Sequence, residues 1–449
     1  MRKKKEFLFK PDKLIFPNLA EGIVDGQRVR MKNAIPGQLY NVVLGRTRPE
    51  YRQVKWFELL ERSELETGKP CDAHEKCGGC SYQTLSLETE LELKKSAILD
   101  LFSETGFEEL IVHPNPKPVG YRNKMEYTFG DEVKGGPLIL GLHRKGRYYE
   151  IVDTTTCNIV HPDFEKIRRA VMEYFRTSNK VHYRKMSAEG FLRHLVVRAG
   201  FHTGELMVNL VTTTQDELDA KEFVEVLKGL ELENEIVSIL HTLNDDIGDT
   251  VKADELRILY GRDHIFEEVL GLKFKISPFS FFQPNVFGIE KLYSRVLELA
   301  GNLSNTTAYD LYSGTGTISQ ILAKKAKHVI GVELVEEAVE AAKINAKLNS
   351  IDNVEFRAND VLKELESLKG APELIVLDPP RSGIVPKALE KILDFNPVKF
   401  IYISCNPKTL ADDYQSFINK GYRLTNLELF DQFTRTYHVE MVGVFEKEK

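Results

Sequence analysis

The sequence predicts an α/β protein whose C-terminal part is a doubly wound, Rossmann-like domain. From about residue 285, short apolar runs alternate with helical segments, and polar loops follow the apolar runs directly. The candidate strands begin at Ala308, His328, Asn353, Leu374 and Phe400. Strands and helices that alternate in this way form open parallel sheets covered on both faces, and ligands bind at the carboxyl ends of the strands.

The first sixty residues show a different pattern, short β-type runs separated by turn signals at Asp25-Gly26 and Pro36-Gly37. This strand density predicts a small antiparallel barrel of the oligonucleotide-binding kind. These residues hold 13 Lys and Arg against 6 Asp and Glu, whereas the whole chain has a formal charge of −6. A basic module on a mildly acidic body suits local, reversible contact with RNA. A solvated tail without a role is the alternative.

The middle of the chain predicts a β-rich central domain. A helical stretch near 85–104 precedes mixed strand patterns over 121–275, and we expect that helix to pack on the C-terminal domain. Three domains are therefore predicted, at 1–62, 63–275 and 276–449. No apolar run is long enough for a membrane helix, and the N-terminus does not fit a signal peptide. We expect a cytoplasmic monomer without membrane contact.

The five cysteines divide into four and one. Cys71, Cys77 and Cys80 are clustered, Cys157 stands alone, and Cys405 lies far away. An odd number in a chain of this length argues against a disulfide scaffold. Thiolates bind soft metals, so four cysteines from two segments suit either an iron–sulfur cluster or structural zinc.

The loop Asp310–Thr317, with sequence DLYSGTGT, follows a candidate strand and carries two glycines that let the backbone approach a ligand. Glu333 ends the next strand, where a carboxylate can accept hydrogen bonds from both ribose hydroxyls. The loop lacks the G-x-G-x-x-G spacing of dinucleotide sites, and a further acid, Asp360, ends the next β unit. Nearby acids suit a sulfonium cofactor better than a pyrophosphate, which favours S-adenosyl-L-methionine. Another nucleotide is the alternative.

The loop Asp378–Gly383, with sequence DPPRSG, follows one strand, and Cys405 follows the next. Two prolines make a stiff loop that can hold a planar substrate. Arg381 stands where amino-methyltransferases have an aromatic residue, which weakens that assignment. A thiolate at Cys405 would add to C6 of uracil and so make C5 nucleophilic enough to take a methyl group. A buried core cysteine is the alternative.

Glu440 interrupts the apolar run Thr436–Phe445. A carboxylate in such surroundings is costly unless it is paired or functional. Desolvation would raise its pKa and suit it to accept the proton that C5 loses after methylation. A glutamate on the exposed face of an edge strand is the alternative.

The combination of motifs resembles the RNA (uracil-5-)-methyltransferase family. The matching motifs are Gln283-Pro-Asn285, Asp310–Thr317, Asp378–Gly383, Ser404-Cys-Asn-Pro407 and His438-Val-Glu440. Residues 7–60 resemble the TRAM barrel of that family, and the pattern C-x5-C-G-G-C at 71–80 with Cys157 resembles its [4Fe-4S] ligand set. The resemblance covers nearly the whole chain. One departure is Ser313, where several relatives have cysteine.

The resemblance implies a role for each of these residues. Cys405 would be the nucleophile and Glu440 the general base. The cofactor S-adenosyl-L-methionine would contact Gln283, Tyr312, Gly314, Gly316, Thr317, Glu333, Asp360 and Asp378, and Asp378 also lies where it can touch the uracil. A [4Fe-4S] cluster would be held by Cys71, Cys77, Cys80 and Cys157.

The barrel and the cysteine set resemble 23S ribosomal RNA enzymes more than the shorter transfer RNA enzymes, so ribosomal RNA is the expected substrate and transfer RNA the alternative. An amino-group methyltransferase, which needs no thiol, is a further alternative. So is a binding protein that has lost catalysis, although the presence of both Cys405 and Glu440 argues against it. Core packing is the expected role of Phe281 and Phe282.

Overall fold

The computed structural model describes residues 5–248, 254–367 and 372–448. The chain divides into two compact units, each built from segments distant in sequence. The first unit comprises Met1–Pro70, Cys80–Asn115 and Gly370–Lys449, and the second comprises Cys71–Gly79 and Pro116–Lys369. These units cut across the three predicted domains, whose bounds stay a prediction.

The N-terminal residues of the first unit form a six-stranded sheet, as the short β-type runs predict. Its strands are β1 (Glu6–Phe9), β2 (Lys13–Ile15), β3 (Leu19–Val24), β4 (Gln27–Lys32), β5 (Leu39–Thr47) and β6 (Arg52–Glu61), in the order β1-β5-β6-β4-β3-β2. Asp25 and Gly26 both have positive φ and make the tight turn from β3 to β4. The pairing is antiparallel except between β4 and β6, so the all-antiparallel prediction holds in part.

A helix and a short strand follow in the first unit. These are α1 (Leu87–Leu101), continued by a 3₁₀ turn at Ser103–Thr105, and β7 (Ile111–His113). Ser86 caps α1, because its Oγ accepts a hydrogen bond from the backbone N–H of Thr89 at 3.0 Å. The helix predicted at 85–104 is thus present. Among the described residues, no helix is both long and apolar enough to cross a membrane.

The second unit contains a seven-stranded sheet, in agreement with the β-rich centre that the sequence predicts. Its elements are β8 (Lys124–Gly130), β9 (Ile139–Arg144), β10 (Arg147–Val152), α2 (Pro162–Arg176), β11 (Leu192–Gly200), β12 (Glu205–Thr212), α3 (Ala220–Lys228), β13 (Glu235–Leu243) and β14 (Glu255–Gly261), with strand order β10-β9-β8-β11-β12-β13-β14. A hairpin of β15 (Ile265–Val269) and β16 (Leu272–Ile276) follows. Every residue of β11 is buried.

The second unit ends in three parallel strands separated by helices, as the alternating pattern predicts. The elements are α4 (Val286–Ala300), β17 (Thr307–Leu311), α5 (Thr317–Ala323), β18 (His328–Glu333), α6 (Glu336–Leu348), β19 (Val354–Ala358) and α7 (Val361–Glu364). Strand β18 pairs in parallel with both β17 and β19. Their carboxyl ends therefore meet at one edge, where a ligand is expected.

The C-terminal residues complete the first unit. The elements are β20 (Leu374–Leu377), α8 (Pro386–Asp394), β21 (Lys399–Ser404), α9 (Pro407–Asn419), β22 (Tyr422–Phe430) and β23 (Glu440–Lys447), with strand order β20-β21-β23-β22-β7. Strands β20 and β21 are parallel, but β23 runs antiparallel to both β21 and β22. The predicted Rossmann-like fold class is confirmed, and antiparallel pairing of β23 is added at this end of the sheet because no crossover helix separates β22 from β23.

Candidate active site

The loop between β17 and α5 has an unusual backbone. Tyr312, Gly314 and Gly316 have φ values of 68°, 54° and 75°, in the left-handed region. The backbone N–H groups of Tyr312 and Ser313 both donate to the carbonyl of Val332, at 2.9 and 3.0 Å. A non-glycine residue in this region is strained, and such residues concentrate at functional sites. The second unit thus holds Tyr312 in a costly conformation at the predicted cofactor loop.

The two glycines of this loop meet different surroundings. A Cβ on Gly316 would lie 2.5 Å from the ring of Phe356 and 2.8 Å from the Cβ of Ala342. A Cβ on Gly314 would meet nothing within 4 Å among the described residues. Gly316 is therefore required by packing inside the protein, whereas the space beside Gly314 is open to a ligand.

Glu333 ends β18 and closes the loop from the other side. Its carboxylate accepts hydrogen bonds from the backbone N–H of Gly314 and of Val335, both at 2.9 Å. An ionised carboxylate has about four acceptor positions, so capacity remains for the two hydroxyls of a ribose. The half-buried position agrees with the predicted cofactor contact.

Asp310, the last acid before the loop, is completely buried. Burial raises its carboxyl pKa to about 7; the hydrogen bond from Ser319 opposes this rise and the charge of Glu333 adds to it. Its Oδ2 accepts the hydroxyl of Ser319 at 2.5 Å, and its Oδ1 has no hydrogen-bond partner among the described residues. The sequence alone assigns Asp310 no role beyond the first position of the loop motif.

Gln283 is held through its backbone. Its carbonyl accepts the side-chain amide of Asn123 at 3.0 Å, and the carbonyl of Pro284 accepts the N–H of Asn123 at 2.8 Å. The buried guanidinium of Arg198 donates to three backbone carbonyls just before Gln283 in the chain, those of Ser277, Pro278 and Ser280. Burial lowers the pKa of Arg198 to about 10. Arg198 on β11 and Asn123, directly before β8, therefore position the segment that contains Gln283.

Asp360 and Thr317, the remaining predicted cofactor contacts of the second unit, occupy helix starts. Asp360 caps α7, because its Oδ1 accepts the N–H of Lys363 at 3.2 Å. Thr317 is the first residue of α5. The structure thus gives Asp360 a local capping role that explains an acid at this position without a ligand.

Phe281 and Phe282 differ in exposure. Phe281 is 70% exposed, so the expectation that it packs in the core is wrong. Phe282 is half-buried and packs against the cluster of Met207, Leu240, Ile265 and Ile276. A large exposed aromatic side chain two residues before Gln283 is free to contact a ligand.

Cys405 lies in the first unit, directly after β21, as predicted. Its side chain is half-buried. Burial raises the pKa of its thiol to about 11; the charges of Glu440 and Asp378 raise it further, and the charge and hydrogen bond of Arg381 oppose the rise. A core cysteine, the alternative interpretation, would have no charged groups around its sulfur.

Glu440 is the first residue of β23, rather than an interior residue of the apolar run, and it is 3% exposed. Burial raises its carboxyl pKa well above the usual value; the charge of Asp378 adds to this and that of Arg381 opposes it. The interpretation as an exposed residue on an edge strand is therefore wrong. A buried carboxyl with a raised pKa is suited to accept a proton near neutral pH.

Arg381 links the three segments of this site. Its carbonyl accepts the side-chain amide of Asn406 at 3.0 Å, and its Nη2 lies 3.5 Å from Nδ1 of His438. Its charge acts on both Cys405 and Glu440. In the sequence alone, Arg381 stands out only because it replaces an aromatic residue. The signal that could have identified Arg381 is that its loop is predicted to meet the acids Asp378 and Glu440 and the thiol of Cys405, which a cation would influence.

Three of the predicted metal-ligating cysteines interact in the second unit. The pKa of Cys157 is raised to about 11, mainly by burial and further by the charges of Cys71 and Cys77, against hydrogen bonds from backbone N–H groups. The N–H of Gly79 donates to the sulfur of Cys77 at 3.3 Å. Cys80 belongs to the first unit, where its sulfur accepts the side-chain amide of Gln83 at 3.4 Å.

All five cysteines are free thiols. No group of three or more His, Cys, Asp or Glu in the described residues is arranged to hold a metal ion. The donor types still fit a thiolate-bound group, because cysteine sulfurs are the ligands that hold iron–sulfur clusters and structural zinc.

Comparisons with known proteins identify the family. A family model described as tRNA (uracil-5-)-methyltransferase matches residues 231–449. An uncharacterized RNA methyltransferase of Clostridium tetani is 44% identical, over 100% of this chain and 99% of its own. One of Caldanaerobacter subterraneus subsp. tengcongensis is 46% identical, over 98% of each chain. The chain belongs to the RNA (uracil-5-)-methyltransferase family.

A solved structure extends this likeness to the whole fold. The tRNA (uracil-54, C5)-methyltransferase of Pyrococcus abyssi, crystallised with S-adenosyl-L-homocysteine, has a TM-score of 0.78 and 27% identity, covering 98% of this chain and 100% of its own. The protein is thus an RNA (uracil-5-)-methyltransferase that uses S-adenosyl-L-methionine. Family membership argues against the alternative of an amino-group methyltransferase.

Proposed function

We propose that this enzyme methylates C5 of a uridine in 23S ribosomal RNA, with Cys405 as the nucleophile and Glu440 as the general base. One observation carries the mechanism. A half-buried thiol and a buried carboxyl both lie in the electrostatic field of Arg381 and Asp378, on three segments of one unit. A nucleophile and a proton acceptor are the two protein groups that this reaction requires.

The first step is the addition of Cys405 to the uracil. The thiol loses its proton to solvent, which its partial exposure permits, and Arg381 favours the thiolate. The sulfur then bonds to C6, and the electron pair of the C5=C6 bond moves towards O4 to give an enolate. S-adenosyl-L-methionine, when bound, supplies the methyl group that C5 of the enolate takes.

The second step restores the aromatic ring. C5 now carries both a methyl group and a proton, and the carboxylate of Glu440 accepts that proton. The electrons of the C5–H bond re-form the C5=C6 bond, and the bond between C6 and the sulfur breaks to release the thiolate of Cys405. Burial and the charge of Asp378 raise the pKa of Glu440, against the opposing charge of Arg381, and so make its carboxylate basic enough for this step.

RNA with 5-fluorouridine at the target position tests the mechanism. Fluorine replaces the proton that Glu440 removes, so a covalent adduct between Cys405 and RNA should accumulate when S-adenosyl-L-methionine is present. Cys405→Ala should form no adduct. With ordinary RNA, Glu440→Gln should retain the methylated adduct. An enzyme that binds RNA and cofactor but forms no adduct with 5-fluorouridine would refute the covalent route.

Different observations support ribosomal RNA and transfer RNA as the substrate. The barrel-like N-terminal sequence and the cysteine pattern resemble ribosomal RNA enzymes. Transfer RNA is the second candidate, because the Pyrococcus abyssi transfer RNA enzyme matches over nearly all of both chains. Mapping of 5-methyluridine in both RNA classes, from cells with and without the gene, separates them. Loss confined to 23S ribosomal RNA supports the first candidate, and loss confined to transfer RNA supports the second.

We further propose that Cys71, Cys77, Cys80 and Cys157 hold a [4Fe-4S] cluster. The mutual electrostatic effects of Cys71, Cys77 and Cys157 support a shared group. Such a group would neutralise the thiolates and tie the loop at 71–80 to Cys157. An assay of iron and acid-labile sulfide on anaerobically purified protein tests this. Zinc without sulfide would instead support a structural zinc site.

A further inference from the structure

The hairpin of β9 and β10 presents aromatic rings beside cations in the second unit. Arg144 pairs with Arg147 across the two-residue turn Lys145-Gly146, and Gly146 has a φ of 74°. The next pairing joins His143 to Ile151, so three residues of β10 face no partner on β9. Such bulges turn side chains out of a sheet. Here the bulge contains Tyr148 and Tyr149, which are 50% and 71% exposed.

The exposed rings are held in a fixed arrangement. The rings of His143 and Tyr148 are stacked, with centroids 4.3 Å apart and planes 8° apart. Tyr149 meets Tyr148 edge-on at 5.8 Å. A hydrogen bond of 2.6 Å joins Nδ1 of His143 to the carbonyl of Tyr148. Tyr148 and Tyr149 are therefore exposed, while their rings contact His143 and each other.

The cysteine loop anchors this hairpin. The N–H of Gly78 donates to the carbonyl of His143 at 3.1 Å, and the N–H of Lys145 donates to the carbonyl of Lys76 at 2.7 Å. A Cβ on Gly78 would lie 3.3 Å from the oxygen of His143, so the close approach favours glycine. The loop thus adds backbone hydrogen bonds to the hairpin edge, and the tip cannot move independently of it.

The charge beside the rings is positive. Glu150 accepts hydrogen bonds from both Arg144, at 2.9 Å, and Arg147, at 2.8 Å. A second carboxylate, Glu132, lies 3.8 Å from Arg144 and pairs with Lys76 at 2.6 Å. Two carboxylates therefore face three cations, and Lys145 adds a fourth in the turn. Stacking rings with an excess of cations are the features that bind unpaired nucleotides through base and phosphate together.

We propose that this hairpin, residues 142–149, binds unpaired nucleotides of the substrate RNA, with Tyr149 stacking on a base and Arg147 contacting a phosphate. The proposal rests on the proposed function, because the ligand is the RNA that carries the target uridine. It assigns part of RNA recognition to the central sheet, outside the residues that perform the chemistry. The RNA has to expose at least one unstacked base near the target to use this surface.

The test measures binding of a fluorescein-labelled single-stranded oligouridylate to the full-length protein by anisotropy, with S-adenosyl-L-homocysteine present. Tyr149→Ala and Arg147→Ala should each weaken binding by about tenfold. Tyr149→Phe should bind like the unmodified protein, because stacking needs the ring and not the hydroxyl. Arg147→Ala should also flatten the dependence of binding on salt, whereas Tyr149→Ala should not.

Tyr260→Ala is the matched control, since Tyr260 is an exposed tyrosine on β14 of the same unit. This substitution should leave binding unchanged. Unchanged binding in Tyr149→Ala, or an equal loss in Tyr260→Ala or Tyr149→Phe, would overturn the proposal. The adduct with 5-fluorouridine RNA separates the two hypotheses. At saturating RNA, Tyr149→Ala should still form this adduct. If the unmodified enzyme forms no adduct, the covalent mechanism is refuted, but the binding result is not affected.

Discussion

The ammonium of Lys94 and the carboxylate of Asp431 form a buried ion pair, with Nζ 2.7 Å from Oδ1 and side chains 2% and 8% exposed. Glu90, one helical turn before Lys94, also accepts from its ammonium at 2.7 Å. Burial alone would lower the pKa of Lys94, but the two carboxylates raise it above its usual value. The N–H of Arg435 donates to Glu90 as well, so α1 holds the segment that leads to Glu440.

Lys94→Met should therefore destabilise the protein strongly. It removes the ammonium that Asp431 and Glu90 share and leaves Glu90 only the guanidinium of Arg435, at 3.5 Å. We expect a loss of about 3–5 kcal/mol in the free energy of unfolding. Urea denaturation followed by circular dichroism measures this. Lys343→Met is the control, because Lys343 pairs with Glu340 on the surface, where such pairs contribute about 0–1 kcal/mol. Equal effects of the two changes would show that the buried pair has no special weight.

The reactivity of Cys405 should respond in opposite directions to its two neighbours. Arg381→Met removes the group that opposes the raised thiol pKa, so the pKa should rise above about 11. Glu440→Gln removes a negative charge and should lower it. The rate of alkylation of Cys405 by iodoacetamide as a function of pH, measured by peptide mass spectrometry, gives both shifts. Shifts in the same direction would contradict the arrangement.

The same charges predict how turnover depends on pH. Only the thiolate attacks uracil, so at a pH well below the thiol pKa, kcat/KM at limiting RNA should rise about tenfold per pH unit. In Arg381→Met the rise should move to higher pH, which lowers activity at pH 8. Arg381→Lys should recover part of the loss, because the charge returns. A kcat/KM that does not change with pH in the unmodified enzyme would contradict a thiol titration as the limiting proton loss.

Substitutions of the two loop glycines should have different effects, one mainly on stability and the other mainly on cofactor binding. Gly316→Ala forces a methyl group into the Phe356 ring at a positive φ, with a loss of about 2–4 kcal/mol from overpacking and backbone strain. Gly314→Ala meets open space and should cost only about 1 kcal/mol. If the open space receives the cofactor, Gly314→Ala should nevertheless weaken S-adenosyl-L-methionine binding in calorimetry. Unchanged affinity would place the cofactor elsewhere.

Arg198 should act on cofactor binding through the Gln283 segment. Arg198→Met removes the donors to the carbonyls of residues 277, 278 and 280 and should raise the KM for S-adenosyl-L-methionine about tenfold, with a smaller change in kcat. Arg193 is a matched control on the same strand. It is equally buried and donates to the carbonyls of residues 244, 246 and 248. Arg193→Met should lower stability but leave this KM unchanged, and an equal rise would show a general structural effect.

Local chemistry determined much of this protein from sequence alone. Apolar runs followed by polar loops predicted β17, β18, β20 and β21, together with the positions of the glycine loop and Cys405 at strand ends. The spacing of apolar residues over 85–104 predicted α1. These features depend on neighbours a few residues away, so their physical causes are present in the sequence itself.

Tertiary structure decided which groups act together. Lys94 and Asp431 are 337 residues apart in the chain, and no local pattern pairs them. The same holds for Arg381, whose role depends on Cys405 and Glu440 arriving from other strands. Asp360 is the opposite case, since its carboxylate makes a local hydrogen bond that caps α7. Burial and charge pairing sum over the whole fold. The apolar run predicted a raised pKa for Glu440, but the effects of Asp378 and Arg381 on Glu440 and Cys405 became evident only in the folded protein.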